Sequence, residues 1–249
     1  MIPLRDDNPT ARRAVVTILL ILVNIGIYFL IQLPKSEQAD TVFTYKWAGV
    51  PCEVHDGQPI EIVPASEPIP ADQCAVGALG IQQPEQPFPD KNVYLAVVYS
   101  MFLHGSVLHV LGNMLFLWIF GNNVEDQLGP VAFLAFYLVG GIVASVVHII
   151  GNIDSTTPFV GASGAIAAVM GAYIVWFPKA RVLTLLGYII LPLPAALVLG
   201  IWFVLQFFTQ SSSGIATLAH IGGFVFGALV AFLLARIAHL PRVRHARTS

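Results

Sequence analysis

Six apolar runs punctuate the chain, at residues 14–33, 104–121, 130–151, 162–178, 193–209 and 215–236. A hydrocarbon core is crossed by about 20 apolar residues in a helix, so each run predicts a spanning helix. Charge is withheld from the same stretches. Apart from Lys179 and Arg181, no Lys, Arg, Asp or Glu lies between Ser155 and Ala235, and none occurs in Asn92–Val124 or Pro130–Ile153. The fifth run is blurred at its start, because residues 182–209 are apolar throughout but carry Pro192 and Pro194, which disfavour a continuous helix. Residues 182–191 therefore read as an interfacial segment, with the span beginning after the prolines. The pattern predicts an all-α membrane protein built as a bundle of six transmembrane helices.

Composition agrees. The 249 residues are 56% hydrophobic and 10% charged, where a soluble domain carries about 25% charge. The net charge of −2 and the lack of a basic patch give no footing for nucleic acid. Basic residues set the orientation. Arg5, Arg12 and Arg13 precede the first run, Lys179 and Arg181 lie between the fourth and fifth, and Arg236, Arg242, Arg244 and Arg247 follow the sixth. Six spans put all three groups on one side, which is expected to be cytoplasmic together with both termini. The loop 121–129, also placed inside, holds Glu125 and Asp126 and no basic residue. The first run is longer than a signal-peptide core and is followed by no clean cleavage site, so it reads as an uncleaved anchor. This divides the chain into a cytoplasmic tail (1–13), a first anchor (14–33), an extracytoplasmic insertion (34–91), a core with five further spans (92–238) and a basic cytoplasmic tail (239–249).

The insertion 34–91 is the one long polar segment. It holds nine acidic residues against Lys35, Lys46 and Lys91, and it is rich in proline, including Pro59, Pro64, Pro68, Pro70, Pro84, Pro87 and Pro89. Both cysteines, Cys52 and Cys74, fall within it. On the outer side of a membrane a disulfide between them is expected, whereas no CxxC spacing suggests a metal.

Candidate chemistry begins at Gly161-Ala162-Ser163-Gly164, which opens the fourth run from the outer side. The Ser163 N–H is then among the first-turn donors that a helix cannot satisfy internally. Those donors and the positive end of the helix dipole suit a developing oxyanion. Small-residue helix packing would produce the same four residues, and a similar motif marks the nucleophile of soluble hydrolases, where a strand precedes it. None does here. His220 lies about 7 Å into the sixth run at 1.5 Å per residue, at a depth similar to Ser163. An ionisable group inside a span points to function, and Gly223 and Gly227 form a GxxxG face that would let this helix approach closely. His109 and Asn113, at i and i+4, share a face of the second run and could donate to an oxyanion beside Ser163. His104 lies at the interface, where a structural role is favoured. His148, Asn24 and Gln206 read as packing or interfacial groups. No carboxylate lies at the depth of His220, so a Ser-His dyad follows more naturally than a triad. The histidines are joined by no cysteine or carboxylate at metal-ligand spacing, so no metal is expected.

From Tyr99 to Ala231 these residues resemble the rhomboid family of intramembrane serine proteases. The likeness rests on His104-Gly105, the run from His109 through Asn113 to Met114, the stretch Gly121 to Glu125, Gly161 to Gly164, and Ala219-His220 with Gly222, Gly223 and Gly227. It implies a six-helix rhomboid-like bundle, Ser163 as nucleophile, His220 as general base, and His109, Asn113 and the Ser163 amide as oxyanion donors. It also implies that the loop before the second span lies partly in the outer membrane face, and that the fifth span with residues 210–215 gates substrate entry. The expected activity is hydrolysis of peptide bonds in or beside transmembrane segments of protein substrates, without a cofactor or metal, in the plasma (inner) membrane with the site opening outward. A catalytically inactive rhomboid-like protein that binds transmembrane helices is the alternative, and a transporter would need buried charges and paired repeats that the chain lacks. Two positions depart from the family pattern. Gln127 stands where an Arg is frequent, which weakens a cytoplasmic ion pair with Glu125. Ala167 stands where an aromatic often packs on the catalytic His, so what orients His220 is left open.

Overall fold

The computed structural model describes residues 1–63, 74–77, 88–208 and 216–237. Pro64, Pro68, Pro70, Pro84 and Pro87, the segment 210–215, and Arg242, Arg244 and Arg247 of the basic tail lie outside the described residues. Among the described residues, six apolar helices of more than ten residues make the bundle. Four are long enough to cross a bilayer: α1 (Val15–Ile27, running on as a π-helical turn over Tyr28–Gln32), α5 (Val107–Leu128), α6 (Pro130–Ile150) and α9 (Thr217–Ile237). Two are shorter, α7 (Ser163–Trp176, 14 residues) and α8 (Ala195–Gln206, 12 residues). Both are narrower than the apolar runs 162–178 and 193–209. Trp176 is followed by Phe177 and the Pro178-Lys179 turn, and Pro192 and Pro194 belong to a strand before α8.

The second run shifts most from its expected limits of 104–121. Ser106 accepts a hydrogen bond from the His109 N–H at 3.1 Å and caps the helix there. At the other end α5 continues to Leu128, until Gly129, at φ 80°, turns the chain and Pro130 opens α6 at its first position.

Helix α7 is the centre of the molecule. Every residue from Gly164 to Tyr173 is buried, as a helix apolar on all sides requires. Its closest neighbour is α9, and glycines make that closeness possible. A Cβ on Gly227 would overlap the Ala168 carbonyl, and one on Gly223 would overlap that of Gly164. The GxxxG face thus brings two backbones into direct contact.

The two ends of the bundle are tied differently. At one end, residues 182–191, expected as an interfacial segment, take the form of a β-hairpin, β4 (Arg181–Leu186) and β5 (Ile189–Pro194), turning at Gly187 with φ 60°. The N-terminal strand β1 (Ile2–Asp7) pairs antiparallel with β4, giving the order β1-β4-β5. There Glu125, 3% exposed, accepts from the N–H groups of Val16 and Thr17 and from the Thr17 hydroxyl. Asp126 accepts from the N–H groups of Ala11 and Arg12. Glu125 therefore caps α1, taking its hydrogen bonds from that helix start.

At the opposite end lie the described residues of the insertion. They contain α2 (Glu37–Trp47), α3 (Pro51–Asp56) and a parallel pair, β2 (Glu61–Val63) with β3 (Ala75–Gly77). Cys52 and Cys74 are joined by a disulfide. Lys91 pairs with Glu53, both side chains essentially buried; burial pushes the Glu53 carboxyl up and the Lys91 ammonium down, and their attraction opposes both shifts. The next helix, α4 (Val93–Ser100), is capped by Asn92 and precedes α5. The Phe159 N–H donates to Gly49 O and that of Cys52 to Ser155 O, so this layer is stitched to the loop leading into α7.

Candidate active site

The loop into α7 reaches Ser163 through a conformation only glycine accepts easily. Gly161 has φ 127°, and a Cβ there would press on the His109 imidazole. Its N–H donates to the Ser100 carbonyl at 2.8 Å, which anchors the loop to α4. Ala162 has αR dihedrals, so helix α7 starts at once, and no side chain among the described residues caps it. At 14 residues α7 spans about 21 Å, less than the roughly 30 Å hydrocarbon core. This brevity recesses Ser163 relative to the ends of the longer helices.

His220, one turn into α9, completes the pair. Its Nε2 lies 2.7 Å from Ser163 Oγ, a full hydrogen bond between groups 57 residues apart in sequence. The close α7–α9 seam allows it: Gly164 and Gly223 are in backbone contact, Ser163 directly precedes Gly164 and His220 lies one turn before Gly223, so the two side chains meet beside that crossing.

The other side of Ser163 is lined by α5. A cavity of about 200 Å³ opens between α5, α7, α8 and α9, bounded by His109, Asn113, Ser163, Trp202 and His220 among others. The Gly105 N–H approaches His109 Nδ1 at 3.4 Å. With Nδ1 accepting, the proton of a neutral ring sits on Nε2, the atom turned toward Gly161. The Asn113 amide nitrogen is buried and has no hydrogen-bond partner among the described residues. Two side-chain N–H donors thus converge beside the serine, with the first-turn amide of α7 as a third. Such a cradle can hold negative charge developing on a carbonyl oxygen.

The remaining polar residues sort out clearly. His104 is 1% exposed and exchanges backbone hydrogen bonds with the Gln32 amide, at 3.0 and 3.1 Å; its ring stands edge-on to His109 with centroids 5.1 Å apart. His148 packs on Phe159 and Asn24 bonds back to Leu20 O, both as packing groups. Gln206 does not fit its expected packing role: its Oε1 lies 2.8 Å from His220 Nδ1. The Trp202 ring also packs against His220, with centroids 5.7 Å apart. Neither was legible as a site residue, since nothing in the apolar run 193–209 marks which face meets the sixth span. No group of three or more metal-binding side chains occurs among the described residues.

Comparison with known proteins identifies the family. The family model described as "Rhomboid domain" matches residues 91–237, more than half of the chain, and the protein belongs to the rhomboid family. It is 34% identical over 155 residues to "Presenilin-associated rhomboid-like protein A, mitochondrial" of Danio rerio, covering 55% of this chain and 37% of the relative. It is 32% identical over 160 residues to "RHOMBOID-like protein 12, mitochondrial" of Arabidopsis thaliana, covering 57% and 46%. It is 34% identical over 130 residues to "Rhomboid protease GlpG" of Pectobacterium atrosepticum, covering 52% and 45%. The chain thus spans less than half the length of these relatives. It is a membrane protein with several apolar helices, and the mitochondrial names give no support to the plasma-membrane location expected above.

Proposed function

We propose that this protein is an intramembrane serine endopeptidase acting on membrane-anchored protein substrates through a Ser163–His220 dyad. The observation that carries the reading is the 2.7 Å contact between Ser163 Oγ and His220 Nε2. His220 takes the hydroxyl proton as Ser163 Oγ bonds to a peptide carbonyl carbon, and the carbonyl oxygen becomes the anion. His109, Asn113 and the Ser163 N–H donate to that oxygen. His220 then gives its proton to the leaving amine, and water, activated by the same ring, hydrolyses the acyl-enzyme. A helical substrate hides its carbonyls, so the segment cut must first unwind. We further propose that the site opens toward the side carrying the disulfide-bonded insertion, with both termini on the other. The described N-terminal strand pairs with the hairpin that begins at Arg181, just after Lys179, consistent with that sidedness.

The test is labelling of the purified protein by a serine-reactive fluorophosphonate, alongside cleavage of a model transmembrane substrate. Ser163→Ala and His220→Ala are each expected to abolish both, and the double variant to be no worse than either, because groups acting as one unit lose nearly everything at the first substitution. Activity surviving in Ser163→Ala rejects the mechanism. A wild-type protein that neither labels nor cleaves, yet still captures transmembrane helices, supports the inactive, helix-binding alternative.

A further inference from the structure

A line of hydrogen bonds runs from α8 into the dyad, and its polarity can be read from one end. Gln206, 8% exposed, closes α8. Its Nε2 lies 3.0 Å from the backbone carbonyl of Trp202. A carbonyl oxygen accepts and cannot donate, so the amide nitrogen must face it, and the amide oxygen is turned the other way. That oxygen is 2.8 Å from His220 Nδ1. It too can only accept, so Nδ1 carries the proton. A neutral imidazole has one proton, which leaves Nε2 bare to accept from Ser163 Oγ–H at 2.7 Å. Each bond dictates the sense of the next, and the last one leaves the base ready to receive the serine proton. The Trp202 ring, one turn earlier on α8, packs against the same imidazole at an interplanar angle of 41°. One turn of α8 thus supplies a hydrogen-bond acceptor for the ring and a packing surface for it. Ala167, by contrast, is fully buried within α7 and offers a single methyl.

We propose that Gln206 is the positioning residue for His220, fixing the Nδ1–H tautomer and the ring orientation that the dyad needs. This rests on the assignment of Ser163 and His220 as nucleophile and base. The task is that of the carboxylate in a Ser-His-Asp triad, performed by a neutral amide. Neutrality suits the location, because an isolated carboxylate inside a bundle that crosses a bilayer is expensive. The cost is a weaker hold on the imidazolium, since an amide dipole stabilises the charged ring less than a full negative charge does.

The experiment uses the full chain in detergent micelles and reads fluorophosphonate labelling rate against pH, with thermal unfolding measured in parallel. Gln206→Met keeps the length and removes the acceptor. It is expected to slow Ser163-dependent labelling by about tenfold, the equivalent of one lost hydrogen bond, at a near-native unfolding temperature. Gln206→Glu restores an acceptor. It is expected to label faster than Gln206→Met and to move the acid limb of the profile to higher pH, because a carboxylate favours the imidazolium. A ¹⁵N spectrum of histidine-labelled protein gives a readout independent of activity. The ring signals lost in His220→Ala identify the residue, and they are expected to show the Nδ1–H tautomer in the wild type and a tautomer mixture in Gln206→Met. Wild-type labelling rate and profile in Gln206→Met would overturn the proposal while leaving the dyad standing, as would an Nε2–H tautomer in the wild type. Absence of any Ser163-dependent labelling would instead overturn the dyad, and this positioning role with it.

Discussion

Helix α5 buries an asparagine near each end, and the two are used in opposite ways. Asn123, 3% exposed, donates its amide to the Asp6 carboxylate at 2.7 Å. Asn113, 9% exposed, directs its amide nitrogen at no partner among the described residues and borders the cavity beside Ser163. Around Asn123 the polar groups are consumed in holding the N-terminal segment: Glu125 caps α1, Asp126 takes two backbone N–H groups, and Asp6 accepts from Asn123 and from the Tyr173 hydroxyl. A buried donor left without a partner costs roughly 1–3 kcal/mol. Such a cost is expected where a donor awaits charge that appears only during reaction. Lack of a partner is not enough by itself, because the buried Tyr137 hydroxyl also has none among the described residues and does not border the cavity. Function is indicated where an open donor and the proposed nucleophile share one cavity.

The comparison is broken most directly at the Asn113 end. Removing one oxyanion donor from a protease typically costs about 10²–10³ in rate. Asn113→Ala is expected to fall within or below that range, because His109 and the Ser163 amide remain, and the His109→Ala/Asn113→Ala pair to lose more. Thermal stability should stay level or rise in Asn113→Ala, since the amide that is lost had no partner to give up. Cleavage kinetics and unfolding temperature measured on the same preparations decide it. An unchanged rate in the double variant returns both residues to packing.

The other end should respond in the reverse sense. Glu125→Ala strands the N–H groups of Val16 and Thr17 and the Thr17 hydroxyl. The expected loss is about 3 kcal/mol of stability, with the labelling rate per folded molecule unchanged. A variant as stable as the wild type, but slower to label, would show that the two ends are not separable in this way.

Why these ends differ in legibility follows from how their signals are written. Spans α1, α5, α6 and α9 announce themselves through uninterrupted apolar runs, and Ser163, His220, His109 and Asn113 stand out because polar groups within such runs are rare. The hairpin does not announce itself. Residues 182–191 are apolar on both faces of the strands, so no period of two appears, and β1 pairs with β4 across most of the chain. Ser106 as the cap of α5 was missed because the apolar run begins before the helix does. Gln206 was missed for a similar reason. A lone glutamine in an apolar helix looks the same whether it bonds its own backbone, as Asn24 does, or reaches a ring on the next helix, and only packing distinguishes them.

The finest distinction between the ends lies in pH. Asp6 is pushed up to about 6 from its ordinary 3.8, chiefly by burial; Tyr173 and Asn123 pull it down and the neighbouring Asp7 pushes it up. A carboxyl raised in the folded state holds a proton there that the unfolded chain has released. The folded state is therefore favoured most below about pH 4, and that advantage is lost as pH rises through 6 and stays lost above it. Asp6→Asn abolishes the titration while keeping an oxygen that can accept from Tyr173 or Asn123. Relative to the wild type, the variant should hold β1 against β4 more firmly above pH 6, with the difference fading toward pH 4. Amide hydrogen exchange of β1, compared between the two proteins across that range, measures it. An advantage that grew on acidification would mean that the ionised carboxylate is the form the fold prefers, and that Asn123 and Tyr173 outweigh burial at this end of α5.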